Sequence, residues 1–458
     1  MKLNKLCQAK SKILAGSVIA LLSLGLLSCQ NTSDKTRTTS PPKGQPVVAQ
    51  GQLVNNAEPN LPQLANKLRQ GNQQVHIVQI GDSHTAADFF SGNLRTLFQQ
   101  RYGDAGPGFI PPISVPGQRT ATINRMSEKK EWSLASSRKD ERFDYPLGGL
   151  IAEPQAANSK VVLKPLQPAL GAYQLQTLYQ STSDSQMRVA PAVSPNVALP
   201  ATGNQWVFSS PVNTQLPAQV TVNKGDGLKI GGWLVRSQKP GVMFSALGLN
   251  GATLSMTDKW QPQWSETLAQ MSPDMVILAY GTNEAFNDTL DLAAYEQNLR
   301  AKIRLIRQQM PNSVILLIGP NDSLKFNDAA SCQAQMPVNL TSVIQIQKTV
   351  AAQENTLFWD WQAFMGGPCS IRTWAAQDLA RPDNVHLSVE GYKKSAQGLY
   401  SQLNQILNWL LVQRTIRQKY IQRTLPFYLL LLFFNVKHLI VVISLCFFLT
   451  YLFFTLKT

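Results

Sequence analysis

The chain has 458 residues, of which 44% are hydrophobic and 15% charged, so most of it is expected to fold rather than stay disordered. The net charge is +15, but residues 1–29 and 401–458 together contribute ten basic residues and no acidic one. The long middle has no basic stripe with interleaved aromatic residues, and we therefore exclude nucleic acid as a partner. This length accommodates a large core and an inserted domain.

The N-terminal segment is typical of an export signal. Four lysines precede an apolar run over Ile13–Leu27, and Leu26–Cys29 (LLSC) resembles a bacterial lipoprotein box. In proteins with that motif the cysteine is lipidated and becomes the mature N-terminus, which makes Cys29 the lipidation candidate and residues 1–29 the signal peptide. An ordinary signal peptide or membrane anchor that contains a cysteine is the alternative. The Thr, Ser, Pro, Lys and Gln that follow favour a flexible linker, predicted over 30–57.

Strands and helices alternate over 58–114 and again over 246–412. The strands are predicted at His76–Ile80, Met275–Tyr280, Ser313–Ile318 and Leu357–Trp359. The helices are predicted at Ala86–Tyr102, Trp264–Met271, Asp291–Met310, Leu340–Gln353 and Ser388–Leu410. This alternation predicts an α/β fold in which a parallel sheet has helices on both faces, giving three layers.

The intervening residues 115–245 have a different pattern. Short apolar or alternating runs, such as Tyr173–Leu178 and Lys229–Leu234, are separated by Gly, Pro, Ser and Asn. These are strand and turn signals, and they predict an all-β unit inserted into the α/β fold. A small β-sandwich fits its size and spacing.

Five cysteines are present, and only Cys332 and Cys369 fall in the predicted folded part. In an exported protein such a pair predicts a disulfide, with two buried free thiols as the alternative. No Cys/His cluster has the spacing of a metal site, so we expect no metal and no cofactor.

Residues 425–456 form an intensely apolar tail. Leu439–Leu456 is long enough to span a bilayer, for which about 20 apolar residues are needed. The basic stretch Arg414–Arg423 favours the cytoplasm, whereas the domain before it is expected outside. A genuine anchor and the start of a truncated or fused membrane protein both stay open.

Among the four histidines, His386 is the best candidate for a general base. His438 lies in the apolar tail, His76 begins a buried strand, and His84 directly follows the candidate nucleophile. Asp383 lies three residues before His386, so a curled loop would bring the carboxylate to one ring nitrogen and leave the other to accept a proton. The alternative is that Asp383 only caps the following helix.

Ser83 is the matching nucleophile. It follows a strand and begins a helix, at the carboxyl end of the sheet, where open α/β sheets place their sites. The alternative is that Ser83 or Asp82 simply caps the helix. Asn283 follows another strand, where it is either a turn residue or an amide donor to an oxyanion.

Together these segments resemble a known family. Gly81–His84 (GDSH), Gly281–Glu284 (GTNE) and Asp383–His386 (DNVH) are similar to conserved blocks of the SGNH/GDSL hydrolases, whose fold is flavodoxin-like. The resemblance implies that Ser83 attacks an ester, that His386 acts as base and then acid, and that Asp383 orients it. It also implies an oxyanion hole formed by the N–H groups of Ser83 and Gly251, with Gly248 the second choice, and by the side chain of Asn283. Glu284 replaces the usual Asp; we expect this to matter little because Asn283 is retained.

A narrower resemblance covers about residues 60–410. Similar segments in the periplasmic peptidoglycan O-acetylesterases of Gram-negative bacteria match Gly81–Phe90, Gly103–Phe109, Asn250–Ala252, Trp359–Gly367 and Asp383–Tyr392. This resemblance implies an insertion like a carbohydrate-binding module, and removal of acetyl groups from the 6-hydroxyl of N-acetylmuramic acid in cell-wall glycan. Together with the lipobox-like motif and the apolar tail, it predicts an exported protein that is anchored to the membrane on the periplasmic side. Tyr173, Tyr179 and Trp206 are candidates for glycan contact, but core positions are the favoured interpretation.

Two other functions stay open. A peptidoglycan or polysaccharide O-acetyltransferase would use the same triad and acyl-enzyme, with a sugar hydroxyl in place of water. A cell-wall-binding lipoprotein with an inactive hydrolase domain is the second alternative, against which the retention of Ser83, Asn283, Asp383 and His386 argues.

Overall fold

The computed structural model describes residues 53–410, except 142–143, 170, 224, 226 and 326–330. The signal peptide, Cys29 and the tail over 425–456 therefore lie outside the described residues. Within those residues, none of the helices has both the length and the apolar character needed to cross a membrane.

The strands are numbered in chain order. They are β1 (Leu53–Asn55), β2 (Gln74–Gly81), β3 (Gly108–Ile110), β4 (Ile123–Met126), β5 (Trp132–Ser136), β6 (Leu150–Pro154), β7 (Ser159–Pro165), β8 (Tyr173–Gln180), β9 (Ser185–Ala192), β10 (Asn196–Leu199), β11 (Val207–Phe208), β12 (Val212–Val222), β13 (Lys229–Ser237), β14 (Gly241–Gly248), β15 (Met275–Ala279), β16 (Val314–Ile318) and β17 (Leu357–Trp359).

The helices are numbered in the same way. They are α1 (Leu61–Gln70), α2 (Ser83–Ala86), α3 (Phe90–Tyr102), α4 (Trp264–Gln270), α5 (Thr282–Ala285), α6 (Leu292–Gln309), α7 (Cys332–Gln335), α8 (Leu340–Gln353), α9 (Trp361–Met365), α10 (Ser370–Ala376) and α11 (389–410). Short 3₁₀ turns occupy Lys129–Glu131 and Leu254–Lys259.

Sheet A carries the α/β part. Its strand order is β1-β17-β16-β15-β2-β14, and all neighbouring pairs are parallel except β1 with β17, so the sheet is mixed. The antiparallel edge corrects the predicted linker over 30–57 at its C-terminal end. Leu53 is buried there and its backbone N–H donates to Gln402 Oε1 at 2.6 Å. A three-residue strand is too short to show periodicity, which explains why the sequence did not indicate it.

The two faces of sheet A are apolar and covered by helices. Along β2, Val75 and Ile77 point to a core shared with α1, α3 and α11, whereas Val78 and Ile80 point to a core shared with α4, α6 and α8. This alternation follows from the two-residue period of a strand. Helices on both faces give the predicted three layers.

Sheet B is antiparallel. Its main strand order is β10-β9-β12-β8-β13-β6-β5, and β3, β4, β7 and β11 pair with members of that path. β3 belongs to the segment 58–114 that was predicted to be part of the α/β domain, yet it pairs with β13 of sheet B. Sheet B has its own apolar core, whereas Leu178 of β8 and Leu234 of β13 belong to one of the two cores of sheet A.

The predicted helix over Ala86–Tyr102 is corrected to two helices, α2 and α3. Asp88 interrupts it with a positive φ of 45°. Its buried carboxylate accepts hydrogen bonds from Ser91 Oγ and from the backbone N–H of Ala121, both at 2.6 Å, and pairs with Arg95 at 3.2 Å. These partners satisfy the buried charge, and the interruption leaves α2 as one isolated turn at the end of β2.

Candidate active site

Ser83 begins α2 directly beyond the carboxyl end of β2. The register places Gly81 beside Gly248 of β14 and Ala279 of β15, so the segments that follow all three strands meet at one edge of sheet A. A Cβ on Gly81 would lie 2.5 Å from the carbonyl oxygen of Ala279, so only glycine fits this turn.

Asp82 rather than Ser83 caps the short helix. The Asp82 carboxylate accepts the backbone N–H of His84 at 2.9 Å. The hydroxyl of Ser83, which is half-buried, is therefore left available for another partner.

The structure brings together Ser83, His386 and Asp383, although 303 residues separate the serine from the histidine. Ser83 Oγ lies 2.9 Å from His386 Nε2, and His386 Nδ1 lies 3.0 Å from Asp383 Oδ2. Because an ionised carboxylate only accepts hydrogen bonds, Nδ1–H donates to Asp383 and Nε2 is the acceptor that faces Ser83. This is the tautomer that a general base for a serine requires.

The loop that carries His386 is shaped by local hydrogen bonds. Asp383 Oδ1 accepts the backbone N–H groups of Val385 at 2.9 Å and His386 at 2.8 Å, and Asn384 adopts a positive φ of 51°. Burial favours the neutral acid, but these two N–H groups and the His386 ring outweigh it and lower the pKa of Asp383. Asp383 is thereby kept as an acceptor for the imidazole.

The segment after β16 donates two hydrogen bonds to this loop. Asn321 Nδ2 donates to the carbonyl oxygen of Val385 at 2.7 Å, and the backbone N–H of Leu324 donates to that of Asn384 at 2.9 Å. Close by, Cys332 and Cys369 form a disulfide that links the start of α7 to the residue before α10. No local pattern indicates the role of Asn321, because its partner Val385 lies 64 residues away in the chain.

Gly251 and Gly248, the two candidates for an oxyanion donor, have different surroundings. A Cβ on Gly248 would collide with the backbone of Thr85 and Ala86, so this glycine is explained by close packing against α2. Gly251 lies in the next turn with a φ of 72°, and its N–H donates no hydrogen bond to any residue that the structure describes. The geometry therefore favours Gly251 as the donor.

Asn283 and Glu284 join this turn to the one after β15. Asn283 Nδ2 donates to the carbonyl oxygen of Ala252 at 2.9 Å, which fixes the amide beside Gly251. The buried Glu284 carboxylate accepts the backbone N–H groups of Leu254 at 2.7 Å and Gly281 at 3.0 Å. The glutamate that replaces the usual aspartate thus links the two turns, a role that no local sequence pattern indicates.

Two carboxyl groups lie buried beneath these turns. Burial raises the pKa of Glu284 to about 7, against the opposing effect of its backbone hydrogen bonds. Burial also raises the pKa of Asp82 to about 7, and the charge of Glu284 adds to that effect. Both acids therefore keep much of their proton at pH values where an exposed carboxyl group is fully ionised.

The other two described histidines do not act as the base for Ser83. His84 is buried, its Nδ1 lies 2.8 Å from the Tyr392 hydroxyl, and burial lowers its pKa to about 3. His76 lies within hydrogen-bonding distance of Ser245 Oγ and the carbonyl oxygen of Met271, so both of its ring nitrogens have partners other than Ser83.

Sheet B does not offer the three aromatic residues that were candidates for glycan contact. Tyr173, Tyr179 and Trp206 are buried, so the favoured interpretation of core positions is confirmed. In the described residues, no group of His, Cys, Asp and Glu is arranged to hold a metal ion.

A serine, a histidine and an aspartate in hydrogen-bonded series can carry out acyl transfer through a covalent acyl-enzyme. These three residues lie at one edge of a mostly parallel sheet that has helices on both faces. This fold and this site together define an ester hydrolase of the GDSL type. The sequence model described as "GDSL-like Lipase/Acylhydrolase family" matches residues 221–394, and that described as "Peptidoglycan O-acetylesterase, N-terminal" matches residues 105–219. Ser83 lies before both matched segments.

The chain is also similar to a solved peptidoglycan O-acetylesterase. The two are 33% identical, the match covers 78% of this chain and 99% of that one, and the TM-score is 0.70. The chain therefore belongs to the peptidoglycan O-acetylesterase family. No curated protein sequence matches it significantly.

Two other solved structures are similar to the chain at much lower identity and TM-score. A lipase/acylhydrolase from Enterococcus faecalis is 18% identical, with a TM-score of 0.28 over 36% of this chain and 76% of its own. A family two carbohydrate esterase from Cellvibrio japonicus is 13% identical, with a TM-score of 0.28 over 63% of this chain and 99% of its own.

Proposed function

We propose that this protein removes O-acetyl groups from peptidoglycan, specifically from the 6-hydroxyl of N-acetylmuramic acid. The observation that carries the proposal is the series Ser83–His386–Asp383, with distances of 2.9 and 3.0 Å, in a chain of the peptidoglycan O-acetylesterase family. The 6-hydroxyl is a primary alcohol, which lets the acetyl group reach a recessed serine while the sugar ring stays outside.

In the first half-reaction, His386 Nε2 takes the proton from Ser83 Oγ as that oxygen attacks the acetyl carbonyl carbon. The carbonyl oxygen becomes an oxyanion and accepts hydrogen bonds from the N–H groups of Ser83 and Gly251 and from the Asn283 amide. Collapse of the tetrahedral intermediate breaks the ester bond, and His386 returns its proton to the departing sugar hydroxyl. Asp383 stabilises the imidazolium between these steps.

In the second half-reaction, water replaces the sugar. His386 accepts a proton from the water as it attacks the acetyl-serine, and it then returns a proton to Ser83 Oγ as acetate leaves. His386 is half-buried, so its imidazole is partly accessible to solvent.

We further propose that sheet B folds as a β-sandwich that holds the glycan. Its antiparallel strands and separate apolar core support this proposal. Deleting exposed polar side chains from its surface is expected to weaken binding of the chain to insoluble peptidoglycan without changing hydrolysis of a small ester. If no deletion on any face of sheet B changed the binding to insoluble peptidoglycan, this role of sheet B would be contradicted.

We also propose that the protein is exported and anchored on the periplasmic side of the membrane through lipid at Cys29, with the apolar tail over 425–456 as a further anchor. The lipobox-like Leu26–Cys29 supports the first anchor. Labelled palmitate is expected to enter the wild type and not a Cys29→Ser variant. Equal labelling of the two would contradict lipidation at this residue.

Acetate release from O-acetylated peptidoglycan, measured with and without an acetyl-acceptor glycan, tests the activity. The wild type is expected to release free acetate, and Ser83→Ala is expected to lower kcat by at least about 10³-fold while glycan binding persists. Unchanged turnover in that variant would overturn the assignment of Ser83. Acetyl groups on the acceptor with little free acetate would show an acetyltransferase instead.

A further inference from the structure

A cavity of about 590 Å³ adjoins the turn that carries Gly251. One wall is formed by the end of β5 and the turn after it, and another by Leu249 and Asn250. Cavities of this size accommodate small-molecule ligands. Asn250, which precedes Gly251, lines the cavity, so the cavity lies between the turn of the candidate oxyanion donor and the end of β5 in sheet B.

Arg138 lies between this cavity and the turn that carries Gly251. A Cβ built on Gly251 would lie 2.6 Å from Arg138 Nε, 2.7 Å from Cζ and 2.9 Å from Nη2. The guanidinium group therefore lies directly against the Cα of Gly251. Arg138 lies in the turn after β5 of sheet B, so the inserted segment supplies a side chain that contacts the Gly251 turn.

The elements around this cavity are fixed by hydrogen bonds. The backbone N–H groups of Lys139 and Asp140 both donate to the carbonyl oxygen of Ser136, which sets the turn that carries Arg138. Asn250 Nδ2 donates to the carbonyl oxygen of Gly117 at 2.9 Å, and Gln118 Nε2 donates to that of Gly248 at 3.1 Å. A prearranged site of this kind loses little entropy when it binds a ligand.

The charges around the cavity are balanced overall, but the charge beside Gly251 is positive. Lys139, Asp140 and Glu153 line the cavity together with Arg138. Arg138 is exposed, and no carboxylate in the described part of the chain forms an ion pair with it. Binding here therefore depends on a short-range, directional pair with the guanidinium group rather than on the field of the whole cavity.

We propose that Arg138 binds a carboxylate of the substrate and so selects anionic, peptide-bearing glycan over neutral acetylated polysaccharide. This inference rests on the function proposed above. Peptidoglycan carries peptides with free carboxylates on the same sugar that bears the 6-O-acetyl group. A carboxylate held by Arg138 would place that sugar across the Gly251 turn, with its acetyl group directed to Ser83.

The test compares full-length wild type with Arg138→Ala on three substrates. These are soluble O-acetylated peptidoglycan fragments, the same fragments with their carboxylates converted to amides, and p-nitrophenyl acetate. On the first, the variant is expected to raise KM about 10–100-fold with a much smaller change in kcat, because a charge-assisted hydrogen bond is lost. On the amidated fragments and the small ester, the wild type and the variant are expected to be alike.

Two further variants sharpen the comparison. Arg138→Lys keeps the charge but loses the planar fork, so its KM is expected to lie between those of the wild type and Arg138→Ala. Arg69→Ala removes an exposed arginine from α1, outside sheet B, and is expected to match the wild type on all three substrates. Melting temperatures would identify a variant that fails to fold.

Loss of activity by Arg138→Ala to the same degree on all three substrates would overturn the proposal and show that Arg138 only supports the Gly251 turn. Unchanged KM on the peptidoglycan fragments would also overturn it. Failure of the proposed function has a different signature. The wild type itself would then hydrolyse p-nitrophenyl acetate in a Ser83-dependent way but release no acetate from peptidoglycan, and the assignment of Arg138 would be withdrawn with it.

Discussion

The two sides of Ser83 are built in different ways. On one side, Asp383 and His386 lie three residues apart on a half-exposed loop, and Asp383 shapes that loop through hydrogen bonds to the two residues beside it. On the other side, Gly251 and Asn283 follow different strands, and the buried Glu284 joins their turns. The Asp383–His386 pair, which we call the relay side, is thus determined mostly by local sequence. The oxyanion side, formed by Gly251 and Asn283, depends on contacts between distant segments. Mutations on the two sides are therefore expected to impair catalysis or stability in different ways.

The largest expected effect after loss of the nucleophile is on the relay side. Asp383→Asn is expected to lower kcat by about 10²–10⁴-fold, because an amide can donate to Nδ1 and stabilise the wrong tautomer of His386. Steady-state hydrolysis of p-nitrophenyl acetate measures this loss, and KM is expected to change little.

Asp378→Asn is the matched control. Asp378 is exposed and has a positive φ of 56°, which asparagine tolerates, so this variant is expected to behave as the wild type. If Asp383→Asn kept wild-type kcat, Asp383 would be only the helix cap that the sequence left as its alternative.

The relay shows how far the sequence could define the site. The order and spacing of the GDSH, GTNE and DNVH segments predicted that Ser83, Asp383, His386 and Asn283 would be used together, and the structure places the first three in hydrogen-bonded series. The sequence could not indicate the roles of Asn321 and Arg138. Each acts through a residue more than 60 positions away in the chain, and no local pattern encodes such a contact.

On the oxyanion side, Asn283→Asp removes the amide donor but keeps the shape of the side chain. It is expected to lower kcat by about 10²–10³-fold, because one preorganised hydrogen bond to the oxyanion is lost and a carboxylate beside it repels the developing charge. Asn283→Ala separates the two effects, since it removes the donor without adding a charge and is expected to lose less. Equal and wild-type rates for both variants would show that Asn283 only holds the turn at Ala252.

The fold was predictable to a similar degree. Strongly periodic or fully apolar segments, such as Leu340–Gln353 and Leu357–Trp359, have the bounds that their patterns predict. The interrupted helix at Asp88 was missed because the break depends on a buried ion pair with Arg95 and on Ala121, both beyond the turn itself. β1 was missed because its three residues join the sheet only through the distant β17. The errors therefore fall where tertiary contacts override local preference.

The smallest expected effect is on the free energy of unfolding. It concerns the buried Glu284, which joins the two turns of the oxyanion side. The pKa of Glu284 is about 7 in the folded protein, above its ordinary value of 4.5. Between these values the folded state binds more protons than the unfolded chain, so this residue makes the protein less stable as pH rises from about 4.5 to 7. The loss is expected to be on the order of 1–3 kcal/mol for a buried carboxyl group.

Glu284→Gln keeps the shape of the side chain but cannot ionise, so it should remove this part of the pH dependence. Thermal unfolding between pH 5 and 8 is expected to show the wild type falling relative to the variant as pH increases. Glu266→Gln, at an exposed position on α4, is expected to run parallel to the wild type. A wild type that instead gains stability with pH relative to Glu284→Gln would mean that the N–H groups of Leu254 and Gly281 hold Glu284 as a carboxylate. In that case an ionised acid would organise each side, Glu284 on the oxyanion side and Asp383 on the other. The two sides would then differ only in that Asp383 accepts hydrogen bonds from neighbouring residues, whereas Glu284 accepts one from the distant Leu254.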